Sequence, residues 1–314
     1  MTTLTMRSPH LLTGEELTQD EVHGLIDLAR RLREERRAGR FRTDLAGKHL
    51  AMMFEKPSLR TRFSFAVAMH ELGGEVIEST SASRKSEEPE DLAGVLTGYV
   101  HGVMIRTHEH AYLERFSAKS GVPVINGLSD SHHPCQALAD LLTLAQRFDS
   151  TQGLELAYIG DGNNVLHSLL LVLPAVGVSV RYACPKGYEP DAMIVKRAKG
   201  RAKEGGARIA ACASPKEAAK EADALYTDVW ASMGQEAQQA EREKAFRGYQ
   251  VNDGLIAIAS SRAIIMHCMP MVRGQEISSS AADHDRSVIF QQAENRLHIQ
   301  KAILLGLMGR AGKN

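Results

Sequence analysis

The chain has 314 residues, 43% of them hydrophobic and 24% charged, which is the composition of a folded globular protein and excludes a disordered or fibrous one. Lys plus Arg and Asp plus Glu both number 38, so the balanced charge disfavours a wide surface for nucleic acid or anionic membrane. The sequence starts without the apolar core of a secretory signal, and no apolar run approaches the ~20 residues of a membrane span, so we expect a cytoplasmic protein.

The first half of the chain alternates between strand-like and helix-like segments. A segment rich in Arg and Glu at 15–37 predicts an opening helix, and Pro57 separates a buried strand from a helix that begins at Ser58. That buried strand is predicted at 48–55, further strands are predicted at 102–107 and 122–126, and a helix is predicted at 134–146. This strand, loop and helix rhythm is typical of a parallel α/β sheet.

A polar segment at 146–152 separates two apolar stretches, after which a second α/β series begins. Its strands are predicted at 154–159, 179–183, 208–211, 224–227 and 263–267. Because single cores stop growing near ~250 to 300 residues, we expect two domains, each a parallel sheet flanked by helices. The expected domains are 1–148 and 149–292, and residues 293–314 are expected to form a C-terminal helix that returns to the first domain.

Donor-rich motifs follow three of the predicted strands in the first half. Ser58-Leu59-Arg60-Thr61-Arg62 stands at a helix start, where free backbone N–H groups and the helix dipole attract anions. A serine there is also an ordinary helix cap, and taken alone that explanation is preferred. Arg106 ends a second strand, and His133-Pro134-Cys135-Gln136 opens a third loop, where a histidine alone is more often a loop or capping residue. Because ligands of open α/β sheets bind at the carboxyl ends of strands, these motifs can converge on one small anion.

The second half carries motifs that suit an amino-acid ligand. Gly160-Asp161-Gly162-Asn163-Asn164 follows a strand but lacks the third glycine of a dinucleotide fingerprint, because Val165 stands at that position. A carboxylate such as Asp228 can hold an amine, while Asn and Ser side chains hold a carboxylate. Cys268 ends another strand, where a free cysteine is often only a small buried residue. The four cysteines are far apart without a C-x-x-C pair, so we expect free thiols and no zinc site.

The order and spacing of four motifs resemble those of the transcarbamoylases, and among them the ornithine carbamoyltransferase family. The motifs are Ser-x-Arg-Thr-Arg from Ser58, His-Pro-Cys-Gln from His133, Asp-x-x-x-Ser-Met-Gly from Asp228 and His-Cys-x-Pro from His267. The similarity covers nearly the whole chain. It implies transfer of a carbamoyl group from carbamoyl phosphate to the δ-amine of L-ornithine, which gives L-citrulline and phosphate. It also implies arginine biosynthesis, no metal and no cofactor, and a homotrimer with sites at subunit interfaces.

The resemblance also implies a role for individual residues. Residues 1–148 would form the carbamoyl-phosphate-binding domain and 149–292 the ornithine-binding domain. Carbamoyl phosphate would contact Ser58, Leu59, Arg60, Thr61, Arg106, His133, Pro134, Cys135, Gln136, Cys268, Met269 and Arg296. Ornithine would contact Asn164, Asp228, Ser232 and Met233. The catalytic groups would be Arg106, His133, Asp228 and Cys268.

Two departures from the family pattern stand out. Met269 replaces the usual leucine, a change that nearly conserves volume. The segment that carries a glutamine into the neighbouring subunit in the family is shorter here, and 81–86 contains no glutamine. Two other classes of function stay open, a nucleotide-dependent α/β enzyme and a non-catalytic relative, although the chain retains every matched anion donor.

Overall fold

The computed structural model describes residue 4 and residues 6–55, 57–80, 87–231 and 239–309. The chain divides into two compact units, Met1–Leu142 with Glu294–Asn314, and Thr143–Ala293. We call them unit 1 and unit 2. Each contains a parallel sheet flanked by helices, and the late helix belongs largely to unit 1, so the predicted fold class is confirmed. The boundaries expected after residues 148 and 292 stay predictions, because both divisions fall inside continuous helices.

Unit 1 is built on a four-stranded parallel sheet with the order β2-β1-β3-β4. Its strands are β1 (His49–Phe54), β2 (Glu75–Thr80), β3 (Gly102–Arg106) and β4 (Val124–Leu128). Its helices are α1 (Gln19–Arg37), α2 (Leu59–Glu71), α3 (Pro89–Thr97), α4 (His110–Lys119) and the first part of α5 (Pro134–Arg147). The last helix, α12 (Ile289–Met308), contributes most of its length to this unit.

Local sequence explains where the helices of unit 1 begin. Thr18 accepts a hydrogen bond from the backbone of Glu21, whose side chain accepts in return from the backbone of Thr18, so α1 starts at Gln19. The side chain of Ser58 caps α2 in the same way by accepting from the backbone of Thr61. Apolar side chains of β1 and β3 then form the centre of the unit, as Met53 and Ile105 illustrate.

Unit 2 contains a five-stranded parallel sheet with the order β7-β6-β5-β8-β9. Its strands are β5 (Glu155–Ile159), β6 (Ser179–Ala183), β7 (Ile209–Ala211), β8 (Ala224–Thr227) and β9 (Ile264–His267). Its helices are α6 (Asn164–Val172), α7 (Ala192–Gly205), α8 (Pro215–Ala219), α9 (Gln239–Ala245), α10 (Asp253–Ile256) and α11 (Ser279–Ala282). The central strands are almost continuously buried, because helices cover both faces of a parallel sheet.

Within the described part of the chain, no helix combines the length and apolarity that a membrane crossing requires. The four cysteines are free thiols, as predicted.

Candidate active site

The carboxyl ends of β1, β3 and β4 lie side by side in unit 1. Phe54 pairs with Arg106, and Arg106 pairs with Leu128, so the loops that follow these strands are neighbours. The loop after β1 leads into the start of α2, and the loop after β4 leads into α5. The sheet therefore brings the three predicted anion-binding motifs to one edge.

The start of α2 presents both buried and accessible groups at this edge. Ser58 is half-buried and its Oγ accepts from the backbone N of Thr61 at 3.4 Å, so the capping role considered for Ser58 is present. Thr61 is buried, Arg60 is half-buried, and the side chain of Leu59 points outward with 69% exposure. Only the backbone of Leu59 is thus suited to a ligand, in keeping with the role that the resemblance implies for it.

Helix α12 adds Arg296 to the same edge. Its Nη1 donates to Oε1 of Gln136 at 2.8 Å, and its Nη2 donates to Oγ1 of Thr61 at 3.2 Å. The guanidinium is buried, so these contacts hold it in a fixed place. Residues from β1–α2, from α5 and from the late helix are thus joined by hydrogen bonds within unit 1.

Three guanidinium groups and one imidazole share this edge. Burial, followed by the positive charges of Arg296 and Arg60, lowers the pKa of Arg106 to about 10. Burial, then the charges of Arg296, Arg106 and Arg60, lowers the pKa of His133 well below its ordinary value, so this ring is neutral at physiological pH. The Nε of Arg106 is buried without a hydrogen-bond partner among the described residues. A pocket of mutually repelling cations with unused donors favours a compact anion that carries more than one charge.

The first turn of α5 also contains Pro134 and Cys135. Pro134 occupies the first helical position, where its missing N–H costs nothing. Cys135 is buried, its thiol donates to the carbonyl of Asn126 at 3.5 Å, and burial raises its pKa to about 12. The thiol is therefore an uncharged packing group, and a ligand contact by Cys135 is left to its backbone.

Asp228 is the centre of a hydrogen-bonded cluster in unit 2. Its Oδ1 accepts from the backbone N of Val229 at 2.8 Å and from Sγ of Cys268 at 3.0 Å, and its Oδ2 accepts from Nδ2 of Asn163 at 2.8 Å. Cys268 is buried, as the simpler interpretation held, but its thiol also has this specific partner. The partner of Asp228 is thus Asn163, whereas the residue that the resemblance implies is its neighbour Asn164, which is half-buried at the first position of α6.

The hydrogen-bond partners of Asn163 explain why it could not be identified as a site residue from the sequence. Its Oδ1 accepts from the backbone N of Val165 and Leu166, as any helix cap does, and its amide nitrogen is left to hold Asp228. The capping position was recognisable from the sequence, but its partner is 65 positions away in the chain.

Asp228, His267 and Cys268 place one possible metal-ligand atom each within 4.8 Å of one another. Both ring nitrogens of His267 are already used, however. Nδ1 accepts from the backbone N of Met269 at 2.9 Å, and Nε2 lies 2.9 Å from a carboxylate oxygen of the buried Glu276. His267 therefore supports the loop at Met269, which has a positive φ of 62°, and is poorly placed to bind a metal.

A buried ion pair joins two loops at the carboxyl edge of the unit 2 sheet. Nη1 of Arg242 donates to Oδ2 of Asp161 and to the carbonyl of Trp230, both at 2.8 Å. Burial raises the pKa of Asp161 to about 6, despite the opposing charge of Arg242. No sequence pattern pointed to Arg242, because the two loops that it joins are far apart in the chain.

The glycine-containing loop after β5 packs against the 188–190 segment. The backbone N of Gly162 donates to the carbonyl of Tyr188 at 2.8 Å, and a Cβ added at Gly162 would lie 2.2 Å from the backbone N of Pro190. This glycine is needed for contact with the 188–190 segment, which weakens the nucleotide interpretation further. Ser232 and Met233, predicted to contact ornithine, lie outside the described residues, as does the segment 81–86.

Both halves of the chain match domains of one known protein family. Residues 9–146 match the carbamoyl-P binding domain of aspartate/ornithine carbamoyltransferases, and residues 152–307 match the Asp/Orn binding domain of the same family. The ornithine carbamoyltransferase of Anoxybacillus flavithermus is 47% identical, with 98% of each chain covered. That of Archaeoglobus fulgidus is 46% identical, with 96% of this chain and 98% of the relative covered.

Solved structures agree with these sequence matches. The ornithine carbamoyltransferase of Pyrococcus furiosus has a TM-score of 0.95 and 42% identity, and the match covers 99% of this chain and 100% of that one. The enzyme of Gloeobacter violaceus has a TM-score of 0.87 and 43% identity, with 97% and 100% covered. Two matched domains in the family's order, together with an arginine-rich pocket in the first of them, show that the chain belongs to the aspartate/ornithine carbamoyltransferase family.

Proposed function

We propose that the chain is an ornithine carbamoyltransferase, which converts carbamoyl phosphate and L-ornithine to L-citrulline and phosphate. The observation that carries this proposal is the convergence of Arg60, Arg106 and Arg296 on the neutral His133, within the part of the chain that matches the carbamoyl-P binding domain. The full-length relatives named ornithine carbamoyltransferase favour ornithine as the acceptor.

Most of the contacts with carbamoyl phosphate in this proposal come from unit 1. Ser58, the backbone of Leu59, Arg60 and Thr61 hold the phosphate at the start of α2, where the helix dipole favours an anion. A further set of residues surrounds the carbamoyl end and the bridging oxygen: Arg106, His133, Pro134, Cys135, Gln136, Cys268, Met269 and Arg296. The anion relieves the repulsion among the guanidinium groups, so binding energy is directed at the reacting molecule.

Ornithine binds to unit 2 through Asn164, Asp228, Ser232 and Met233. Asp228 accepts hydrogen bonds from the Cys268 thiol and from the Asn163 amide, so the carboxylate has a fixed orientation towards the δ-amine. The neutral δ-amine attacks the carbamoyl carbon. Arg106, His133 and Thr61 donate to the carbonyl oxygen as negative charge develops on it, and the departing phosphate accepts the proton. These steps need no metal or organic cofactor, because carbamoyl phosphate is already activated.

We also propose a role in arginine biosynthesis in the cytoplasm and a homotrimeric assembly. Five of the exposed apolar side chains of unit 1 support the assembly, because they lie on α2, on the edge strand β2 and on α3 with the residues after it. They are Leu59 at 69% exposure, Phe63 at 62%, Ile77 at 53%, Val95 at 45% and Tyr99 at 72%. An apolar face beside a sheet edge is typical of a contact between subunits.

The decisive experiment measures transfer from carbamoyl phosphate to four amines in parallel: ornithine, putrescine, aspartate and N-acetylornithine. We expect citrulline formation with a kcat/KM for ornithine at least about 100-fold above the others, since unpaired polar groups in a site penalise the wrong ligand strongly. Preference for another amine, or no transfer at all, would refute the assignment. A melting shift with NAD or ATP would instead favour the nucleotide-dependent alternative.

A further inference from the structure

Two buried polar side chains lie one turn apart on α5. Gln136 and Asp140 are 1% and 0% exposed, and Nε2 of Gln136 donates to Oδ1 of Asp140 at 2.8 Å. A pair at this spacing on a solvated helix adds only a few tenths of a kcal/mol. A fully buried carboxylate is different, because removing it from water is costly unless hydrogen bonds compensate.

The other end of the Gln136 amide contacts the anion pocket. Its Oε1 accepts from Nη1 of Arg296 at 2.8 Å, while Nη2 of the same guanidinium donates to Thr61. An amide has one donating and one accepting end, whereas a carboxylate only accepts and a guanidinium only donates. The orientation of the Gln136 amide is therefore determined from both sides, by Asp140 and by Arg296.

We propose that Asp140 is a positioning residue for the carbamoyl phosphate site, which acts through Gln136 to hold Arg296 against Thr61. This inference rests on the proposed function of that site. Without an acceptor at position 140, the amide nitrogen of Gln136 has no partner from this residue, and the amide gains by turning over. The turned amide would present N–H groups to Arg296, which is itself a donor, and the guanidinium would leave its place.

A first pair of variants separates hydrogen bonding from charge. Asp140→Asn keeps an oxygen that can accept from Gln136, so the KM for carbamoyl phosphate should stay within about threefold of the parent. Asp140→Ala removes the acceptor, and KM for carbamoyl phosphate should rise about tenfold or more, because a buried donor left unsatisfied has a penalty of that size. The KM for ornithine should not change in either variant. Glu243→Ala is the matched control, since Glu243 is an exposed residue of α9 that accepts from Gln239 one turn earlier.

A second pair reverses the direction of the hydrogen bond. Gln136→Glu places two carboxylates one turn apart and should greatly reduce the rise in melting temperature that inorganic phosphate produces. Adding Asp140→Asn supplies an N–H donor to the new carboxylate at position 136, which can still accept from Arg296. The double variant should therefore recover a large part of the phosphate-induced rise.

Two results would overturn the inference. One is a folded Asp140→Ala protein with the parental KM for carbamoyl phosphate and the parental phosphate-induced rise. The other is a double variant that responds to phosphate no better than Gln136→Glu alone. If Asp140→Ala fails to fold, the second pair of variants tests the inference, because Gln136→Glu and the double variant both keep a polar side chain at each position. Turnover by the parent protein tests the proposed function separately, so a failure of that function is distinguishable from a failure of this inference.

Discussion

We expect the buried charge of Arg106 to lower the stability of the protein while it supports activity. Its charge is buried near Arg296 and Arg60, and burial and this repulsion lower its pKa to about 10, so the unliganded protein holds it at a cost. In the absence of anions, we expect Arg106→Met to have the same melting temperature as the parent or a higher one. Phosphate should no longer raise the melting temperature of this variant. We expect kcat/KM to fall about 100- to 1,000-fold in this variant and in Arg60→Ala, because one donor to a developing anion is worth roughly 3 to 4 kcal/mol.

Arg115→Met is the control for these variants. Arg115 is an exposed arginine of α4 that pairs with Glu90 at 2.7 Å on the surface of unit 1. Melting curves with and without phosphate, together with steady-state kinetics, measure both effects. Near-normal activity of both pocket variants would contradict the assignment of the site.

The neutral state of His133 simplifies the pH dependence of the reaction. Because burial and the neighbouring arginine charges hold the pKa of His133 well below its ordinary value, His133 stays neutral as the pH rises above neutrality. A side-chain amine of the ornithine type has an ordinary pKa near ~10.4 in water and attacks only when neutral. We therefore expect kcat/KM for ornithine to rise steadily from pH 6 to 9. A flat profile with chemistry rate-limiting would exclude attack by a minor neutral form.

At the scale of elements, Arg242 links α9 to two loops at the carboxyl edge of the unit 2 sheet. It holds Asp161 of the loop after β5 and the carbonyl of Trp230, two residues after Asp228. We expect Arg242→Met to raise the KM for ornithine about tenfold while the KM for carbamoyl phosphate stays constant, because most of the proposed contacts with carbamoyl phosphate lie in unit 1. Breaking a buried pair leaves Asp161 without its partner, so the melting temperature should also fall.

An ion pair between an exposed arginine and the buried Asp223 in the same unit provides the comparison for Arg242. Arg262 lies 2.9 Å from Asp223 with its side chain 63% exposed, and Arg262→Met should change neither KM. Equal effects of the two substitutions on the KM for ornithine would show that Arg242 has only a general structural role.

Most strands were predictable from the sequence, and the exceptions have physical causes. Strand β1 was expected at 48–55 and spans His49–Phe54, because its apolar residues are buried in a parallel sheet. Strand β2 was missed, since Glu75 and Glu78 are the polar side chains by which an edge strand avoids aggregation. The predicted start of α1 at residue 15 was too early, because the cap at Thr18 determines it.

The candidate site was also predictable from the sequence only in part. Motifs that carry their own local chemistry, such as the cap and hydroxyls at Ser58 and Thr61, can be recognised from spacing. Roles that depend on a distant partner cannot, and Arg242 with Asp161 is such a case, 81 positions apart in the chain.

At the scale of the whole molecule, the apolar face of unit 1 provides a test of assembly. Ile77 lies on the edge strand and is 53% exposed, so a charge there should not disturb the core of a single subunit. We expect Ile77→Asp to shift the protein from the proposed trimer to a monomer in sedimentation or light-scattering measurements and to reduce activity with it. A variant that stays trimeric would place the contact elsewhere.

The loop that enters the neighbouring subunit's site in the family provides a second test of assembly. In this chain its position corresponds to 80–88, with Ser81, Ser83, Arg84 and Lys85 as possible donors, and 81–86 lies outside the described residues. We expect mixed trimers of an Arg84→Ala/Lys85→Ala variant and an Arg106→Ala variant to recover some activity, because one site can combine an intact loop with an intact pocket. Efficient subunit exchange between inactive, trimeric parents with no recovery would exclude a role across the interface.

The position of Arg296 on α12 also has a consequence for protein synthesis. The ribosome makes β1 to β4 and the first donors of the pocket early, but the guanidinium that joins Gln136 to Thr61 is added more than half a chain later. A nascent chain that has not reached this residue has an incomplete cation cluster and cannot gain full stabilisation from carbamoyl phosphate. Ligand binding in this fold therefore comes late in biogenesis, although most of the binding motifs are translated first.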